Sequence, residues 1–207
     1  MKNNFCSFLS AIILSILPTI LPVAAHSQNT LKTVEKICGG NAEKGIDHVF
    51  ALAKGGNSAA TFLLAMIMAE NDQTDTALKY LKFSAKQGSA NGMKALGTLA
   101  FNDKNYPEAK YWFEAAAKLL NINALMYLGM MHRDGLGFQS NNETAYFWFT
   151  VAGKLKKTFS TGDMEPEEFA SGVSAQLSPP TLTKLSQDSD RWIIEHPETP
   201  PQSIPPC

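Results

Sequence analysis

Cysteine is scarce in this chain: three residues in 207, Cys6, Cys38 and Cys207. Zinc ligands come in closely spaced pairs, so these distant cysteines exclude a structural zinc site. An excess of positive charge is also missing. Lysine and arginine number 18 against 19 acidic residues, a net charge of −1. Nucleic-acid phosphates and anionic membranes both demand a basic patch, so neither is an expected partner. There is no Gly-x-Ser-x-Gly elbow, no phosphate-binding glycine loop and no His-Glu-x-x-His. Asp134-Gly135-Leu136-Gly137 is too short for a calcium loop. No cofactor and no metal are expected. Long apolar runs are limited to one, residues 8–21, about 14 residues where a spanning helix needs ~20.

That run has the layout of a secretory leader. Lys2 precedes it, Pro18 and Pro22 sit near its end, and Val23-Ala24-Ala25 supplies small residues for cleavage, with Ala25-His26-Ser27 as an alternative. Residues 1–25 are therefore expected to direct export to the periplasm or beyond, leaving no membrane anchor after cleavage. Cys6 lies before the apolar run, which argues against a lipoprotein. Export places Cys38 and Cys207 where disulfides persist. A bridge within the chain, a bridge to another chain and two free thiols all remain open. The tail at residues 197–207 carries Pro197, Pro200, Pro201, Pro205 and Pro206. It is expected to be disordered, and extended it could reach far back along the fold.

What the sequence does have is an echo of itself. Ala60, Gly92 and Ala124 are followed four residues later by Leu64, Leu96 and Leu128, then by Ala65, Gly97 and Gly129. Ala77, Ala109 and Ala145 are followed three residues on by Tyr80, Trp112 and Trp148, then by Leu81, Phe113 and Phe149. The first set repeats at 32 and 32 residues, the second at 32 and 36. A period of this length marks stacked helical hairpins. Helices are expected at about 43–54, 58–70, 74–87, 90–101, 106–118, 121–133 and 142–156. Residues 26–42 read as a polar lead-in, which makes the helix at 43–54 an orphan second half of a repeat. The small residue after each leucine lets the partner helix approach. The aromatic at Tyr80, Trp112 and Trp148 is the expected knob opposite it.

The third unit reads Ala124-x3-Leu128-Gly129-x-Met131-His132-x2-Gly135-x-Gly137-Phe138, then Ala145-x2-Trp148-Phe149-x2-Ala152-Gly153. It resembles the Sel1-like repeat family: an alanine, a Leu-Gly pair, an aromatic, a Gly-x-Gly-hydrophobic turn, then an alanine and an aromatic pair. His132 falls on an aromatic position of that pattern. The two earlier units are four residues shorter, lack the Gly-x-Gly turn and are more similar to tetratricopeptide hairpins. The resemblance covers residues 43–157. It implies an all-α, right-handed α-solenoid of Sel1/tetratricopeptide-like hairpins. Residues 158–196 then read as C-terminal capping helices, with Ser178 as an N-cap and Leu182, Leu185 and Trp192 as an apolar face. Some exported members of the family are described as β-lactamases, but those carry a disulfide in each repeat, which this chain lacks.

In hairpin solenoids the first helices line the concave face. The positions there not used by the leucine core are Thr61, Met93 and Leu125; Leu63, Ala95 and Tyr127; and Met66, Thr98 and Met130. This largely apolar set is the expected partner-binding surface, because methionine adapts to varied ligands and exposed apolar patches mark partner sites. The expected function is a non-enzymatic exported scaffold that binds a peptide or helix of another protein. Two alternatives stand beside it. One is a cell-wall-acting enzyme or enzyme modulator, with Glu70 and His132 as weak candidates. The other is a secreted effector that binds host proteins. Lys154, Lys156 and Lys157 are expected to complement a helix C-terminus. The sequence does not fix the oligomeric state.

Overall fold

The structure, a computed structural model, describes residues 27–159, 165–197 and 203–207. Residues 1–25, expected to be a leader, lie outside them. Among the described residues there are ten α-helices and no strand: α1 Ser27–Ile37, α2 Ala42–Lys54, α3 Ser58–Glu70, α4 Thr74–Lys86, α5 Ala90–Asn102, α6 Tyr106–Ala117, α7 Ile122–Asp134, α8 Asn142–Phe159, α9 Pro166–Ser174 and α10 Pro179–Glu195. None of them is long and apolar enough to cross a membrane. The chain divides into two compact units, Met1–Ser89 with Pro201–Cys207, and Ala90–Pro200.

The hairpin period is written into the backbone turns. Gly40, Asp72 and Lys104, spaced 32 apart, all take positive φ, at 92°, 56° and 59°. Each closes a turn inside a hairpin. Gly56, Gly88 and Leu120 do the same between hairpins, at 91°, 88° and 56°. Helix starts repeat as well. Asn57 and Asn121 accept from the amides of Ala60 and Ala124, at 2.9 and 3.0 Å, satisfying one of the free N–H groups of the first turn.

In the first unit, α1 occupies the stretch expected to be a polar lead-in. It packs on α2 and touches α3, so α2 is not an orphan but the second half of a complete hairpin. Val34 is fully buried and lies against Gly45; a Cβ on Gly45 would come within 2.7 Å of Val34 Cγ1. Glycine there is a close-approach residue. Val34, Ile46, Val49, Ala60, Leu64, Ile67, Met68 and Ala77 form one core, with Ile204 of the C-terminal tail packed on its edge. That tail was expected to be disordered. Its residues 203–207 instead lie on this unit, with Cys38 and Cys207 paired at a Cα separation of 5.0 Å.

In the second unit the small residues of the repeat meet the second residue of each aromatic pair, not the first. A Cβ on Gly97 would fall 2.7 Å from Phe113 Cδ1, and one on Gly129 would fall 2.6 Å from Phe149 Cδ1. Phe113 and Phe149 are fully buried, whereas Trp112 and Trp148 are half-buried. Tyr80 is likewise half-buried at its core's edge, and Leu81 takes the inner place. The expectation of Tyr80, Trp112 and Trp148 as the inner knobs was one residue out of register, about 100° around a helix. Leu96 and Leu128 are core residues as expected. Gly135 ends α7 in the left-handed conformation, φ 71°, and Gly137, φ 72°, backs onto Tyr106 with Cβ room of only 3.0 Å. Both glycines of the longer turn are therefore required by the backbone.

The helices expected to cap the repeats, α9 and α10, are fastened to α8 by the lysine cluster and by aromatics. Lys154 Nζ donates to Ser186 O at 2.7 Å and pairs with Asp190 at 2.6 Å. Lys156 pairs with Glu165 at 2.8 Å, and Lys157 lies 3.7 Å from Glu167. The lysines expected to serve the helix dipole thus bind α10 and the start of α9. Trp192 meets Trp148 edge-on at 5.5 Å, and Phe169 packs against Phe149 at 5.4 Å.

Candidate partner-binding surface

The nine residues expected to form a binding face divide between the units, three in the first and six in the second. Two of the nine do not reach solvent. Thr61 is fully buried, its Oγ1 lying 2.9 Å from Asn57 O and 2.8 Å from Gln87 Oε1. Leu125 is fully buried in the core of the second unit. Each stands three residues before a core leucine, which places it on the same helix stripe as that leucine. Both are corrected here to core residues.

The other seven keep exposed surface. In the first unit Leu63 is half-buried beside the core and Met66 is 36% exposed. In the second unit Met93, Ala95 and Thr98 on α5 and Tyr127 and Met130 on α7 are all half-buried. The two helices touch. Tyr127 is held rigidly: its ring stacks on Phe113 at 4.5 Å with planes 5° apart, and it meets Phe101 edge-on at 5.4 Å. Such a ring offers contact area with little rotamer entropy left to lose. Thr98 spends its hydroxyl on Lys94 O at 3.0 Å, leaving its methyl as its contribution.

The two weak catalytic candidates lie in different units. Glu70 accepts a short hydrogen bond from Thr30 Oγ1. His132 stacks on Phe138 at 3.7 Å. Burial and then the nearby positive charge of Lys110 lower its pKa, both disfavouring the charged ring. Lys110 itself lies 4.3 Å from the Phe138 ring centre. His132 Nδ1 is buried without a hydrogen-bond partner. This is a packing histidine in an aromatic position. Its neighbour Asp134 is held by Arg133 at 2.7 Å, and that hydrogen bond lowers the carboxyl pKa and raises that of the guanidinium. Among the described residues no three of His, Cys, Asp and Glu come together in a way that could hold a metal.

Sequence reasoning missed the contacts of the C-terminal tail. His48 Nε2 lies 2.8 Å from Pro205 O. Asn57, besides capping α3, donates from Nδ2 to Ser203 O at 3.0 Å. The available signal was Cys207 itself, a terminal cysteine in a chain with few others.

No protein-family model matches the chain, and no curated protein matches it. Among solved structures, the crystal structure of a protective antigen present in uropathogenic Escherichia coli strains, displaying a Sel1-like repeat fold, aligns over 82% of this chain with a TM-score of 0.62 and 21% identity. This chain spans 38% of that one's length. The likeness is one of fold: an all-α repeat of helical hairpins of the Sel1-like kind.

Proposed function

We propose that this protein is an exported, non-enzymatic scaffold whose first-helix side chains bind a peptide or helix of another protein. The observation that carries the reading is the pair α5 and α7. There the rigid Tyr127 is accompanied by Met93 and Met130, apolar side chains that pack on the core yet keep part of their surface in water. A fixed aromatic flanked by adaptable methionines suits an apolar anchor on a helix or extended peptide. The leader-like residues 1–25 and the Cys38–Cys207 pair support a periplasmic or secreted address, where a disulfide is retained.

The test is photo-crosslinking in the source cell. A crosslinker is placed at Met130 and, as control, at Tyr111, which is 62% exposed on the second helix α6. Capture of one dominant protein from Met130 alone is the expected result. Equal capture from both positions, or none from either, refutes a first-helix binding surface. Fractionation of the same cells tests the address, and protein confined to the cytoplasm refutes export.

A further inference from the structure

The last five residues of the chain do more than close a disulfide. Asn57, just past the C-terminus of α2, donates to Ser203 O at 3.0 Å. His48, in the middle of α2, lies 2.8 Å from Pro205 O. Ile37 O, on the last residue of α1, accepts from Cys207 N at 3.3 Å. These partners run backwards along the chain, from beyond the end of α2 through its middle to the end of α1, so the tail runs antiparallel to α2 in an extended form. Two carbonyls, two residues apart, are read by side-chain nitrogens. Between them Ile204 packs against the core of the unit, as alternation along an extended chain requires. Pro205 and Pro206 fit such a segment, since they bring no N–H to satisfy and hold φ near the extended value. A shallow depression of ≈ 510 Å³, lined by Ala51, Leu52, Gly55, Gly56, Asn57 and Ser203, flanks the tail at Ser203.

We propose that this face of α2 is a docking site for an extended aliphatic–proline peptide, and that the chain's own tail, fastened by Cys38–Cys207, keeps it closed. The recognition elements, two carbonyl contacts and one aliphatic anchor, do not depend on the covalent bond and would serve a peptide supplied from outside equally well. Contacts this few give a free peptide weak affinity, and a tethered tail sees the site at an effective concentration on the order of millimolar. The tether alone therefore leaves the site partly open, and the disulfide makes occupancy complete. A dithiol reductant would supply two electrons and two protons, converting Cys38–Cys207 to two thiols and becoming a disulfide itself. The site would then be free to exchange its occupant. This site is separate from the first-helix residues of α5 and α7 and stands or falls without them.

Two measurements test it. In the first, the full chain carrying Cys207→Ser, with folding checked by circular dichroism, is treated with the peptide Ser-Ile-Pro-Pro-Cys activated as a thionitrobenzoate disulfide. Attack by the Cys38 thiolate joins the peptide to Cys38 and releases thionitrobenzoate, which is read by absorbance. A scrambled Pro-Ser-Pro-Ile-Cys peptide is the comparison. The expected result is labelling faster by about tenfold for the cognate peptide, the advantage of local concentration at Cys38, with the advantage lost in His48→Ala. Equal rates for the two peptides overturn the proposal. The second measurement needs no variant: fluorescence anisotropy of labelled Ser-Ile-Pro-Pro-Ser with the wild-type chain, oxidised and then reduced with dithiothreitol. Binding that appears only on reduction is expected. Equal binding in both states, or none in either, overturns the proposal.

Discussion

Gly129→Ala provides a direct trial of how these hairpins are packed. By helix propensity alone the change is favourable, because alanine is better than glycine in a helix interior by about 1 kcal/mol. The structure reverses the sign. The new Cβ would fall 2.6 Å from Phe149 Cδ1 and 2.9 Å from Cζ, closer than carbon atoms tolerate. Phe149 has no exposed surface and is backed by Phe169 at 5.4 Å, so the ring has nowhere to retreat without moving α9. Overpacking of this kind costs about 1–3 kcal/mol. After the propensity gain is subtracted, a net loss of up to about 2 kcal/mol is expected. Urea denaturation followed by circular dichroism reads it. Gly172→Ala is the control: Gly172 sits inside α9 with nothing within 4 Å of a Cβ, and there the change is expected to stabilise by about 0.5–1 kcal/mol. A second control, Phe149→Leu, opens the contested space, so Gly129→Ala is expected to be better tolerated in that background. If Gly129→Ala proves as stabilising as Gly172→Ala, the small residue is not a close-approach position and the packing argument is wrong.

Cys207→Ser removes a bridge that spans 169 residues of sequence; the chain-entropy relation puts its stabilisation at about 5 kcal/mol as an upper figure, so a clear fall in Tm is expected in the oxidised state, and an unchanged Tm would show that the bridge constrains nothing. His132 has a pKa below its usual 6.5, through burial and then Lys110. The unfolded chain therefore takes up the proton first as pH falls, and stability present above 6.5 declines below it until the folded-state pKa is reached. A Tm-against-pH profile of His132→Phe is expected to lose that decline, and identical profiles would refute the assignment. Lys154→Ala breaks the contacts to Ser186 and Asp190; because the pair is partly solvated, a loss of about 1 kcal/mol is expected, measured by urea denaturation, with faster amide exchange in α10, and unchanged exchange would place the cap's attachment in its aromatics alone.

The hairpin repeat was legible because a stacked fold must reuse the same small and large residues at a fixed interval. The leucine core and Gly129 with its Leu128 followed from that interval, and the Gly135 and Gly137 turn, found in the third unit and not in the first two, followed from the resemblance to Sel1-like repeats. Besides the tail, three readings went astray for identifiable reasons. The first helix, α1, was passed over because it is mostly polar, and its place is set by tertiary contacts such as the packing of Val34 on Gly45. The inner knob was set one residue early, because Tyr80, Trp112 and Trp148 are the larger rings, and size does not say which way a helix is turned. Thr61 and Leu125 were offered to a partner because the repeat marks which positions are equivalent without marking how far each is buried.

The sequence alone determined the periodic all-α architecture, the helix cap at Ser178 and the positions of closest helix approach within the repeats, since these follow from local dihedral preference and spacing within a single period. Tertiary structure alone decided the pairing of Cys38 with Cys207, the seating of the tail along α2 and the use of Lys154 and Lys156 to hold the cap. Each of these joins residues distant in the chain, and no local preference encodes a meeting that depends on how the intervening helices pack.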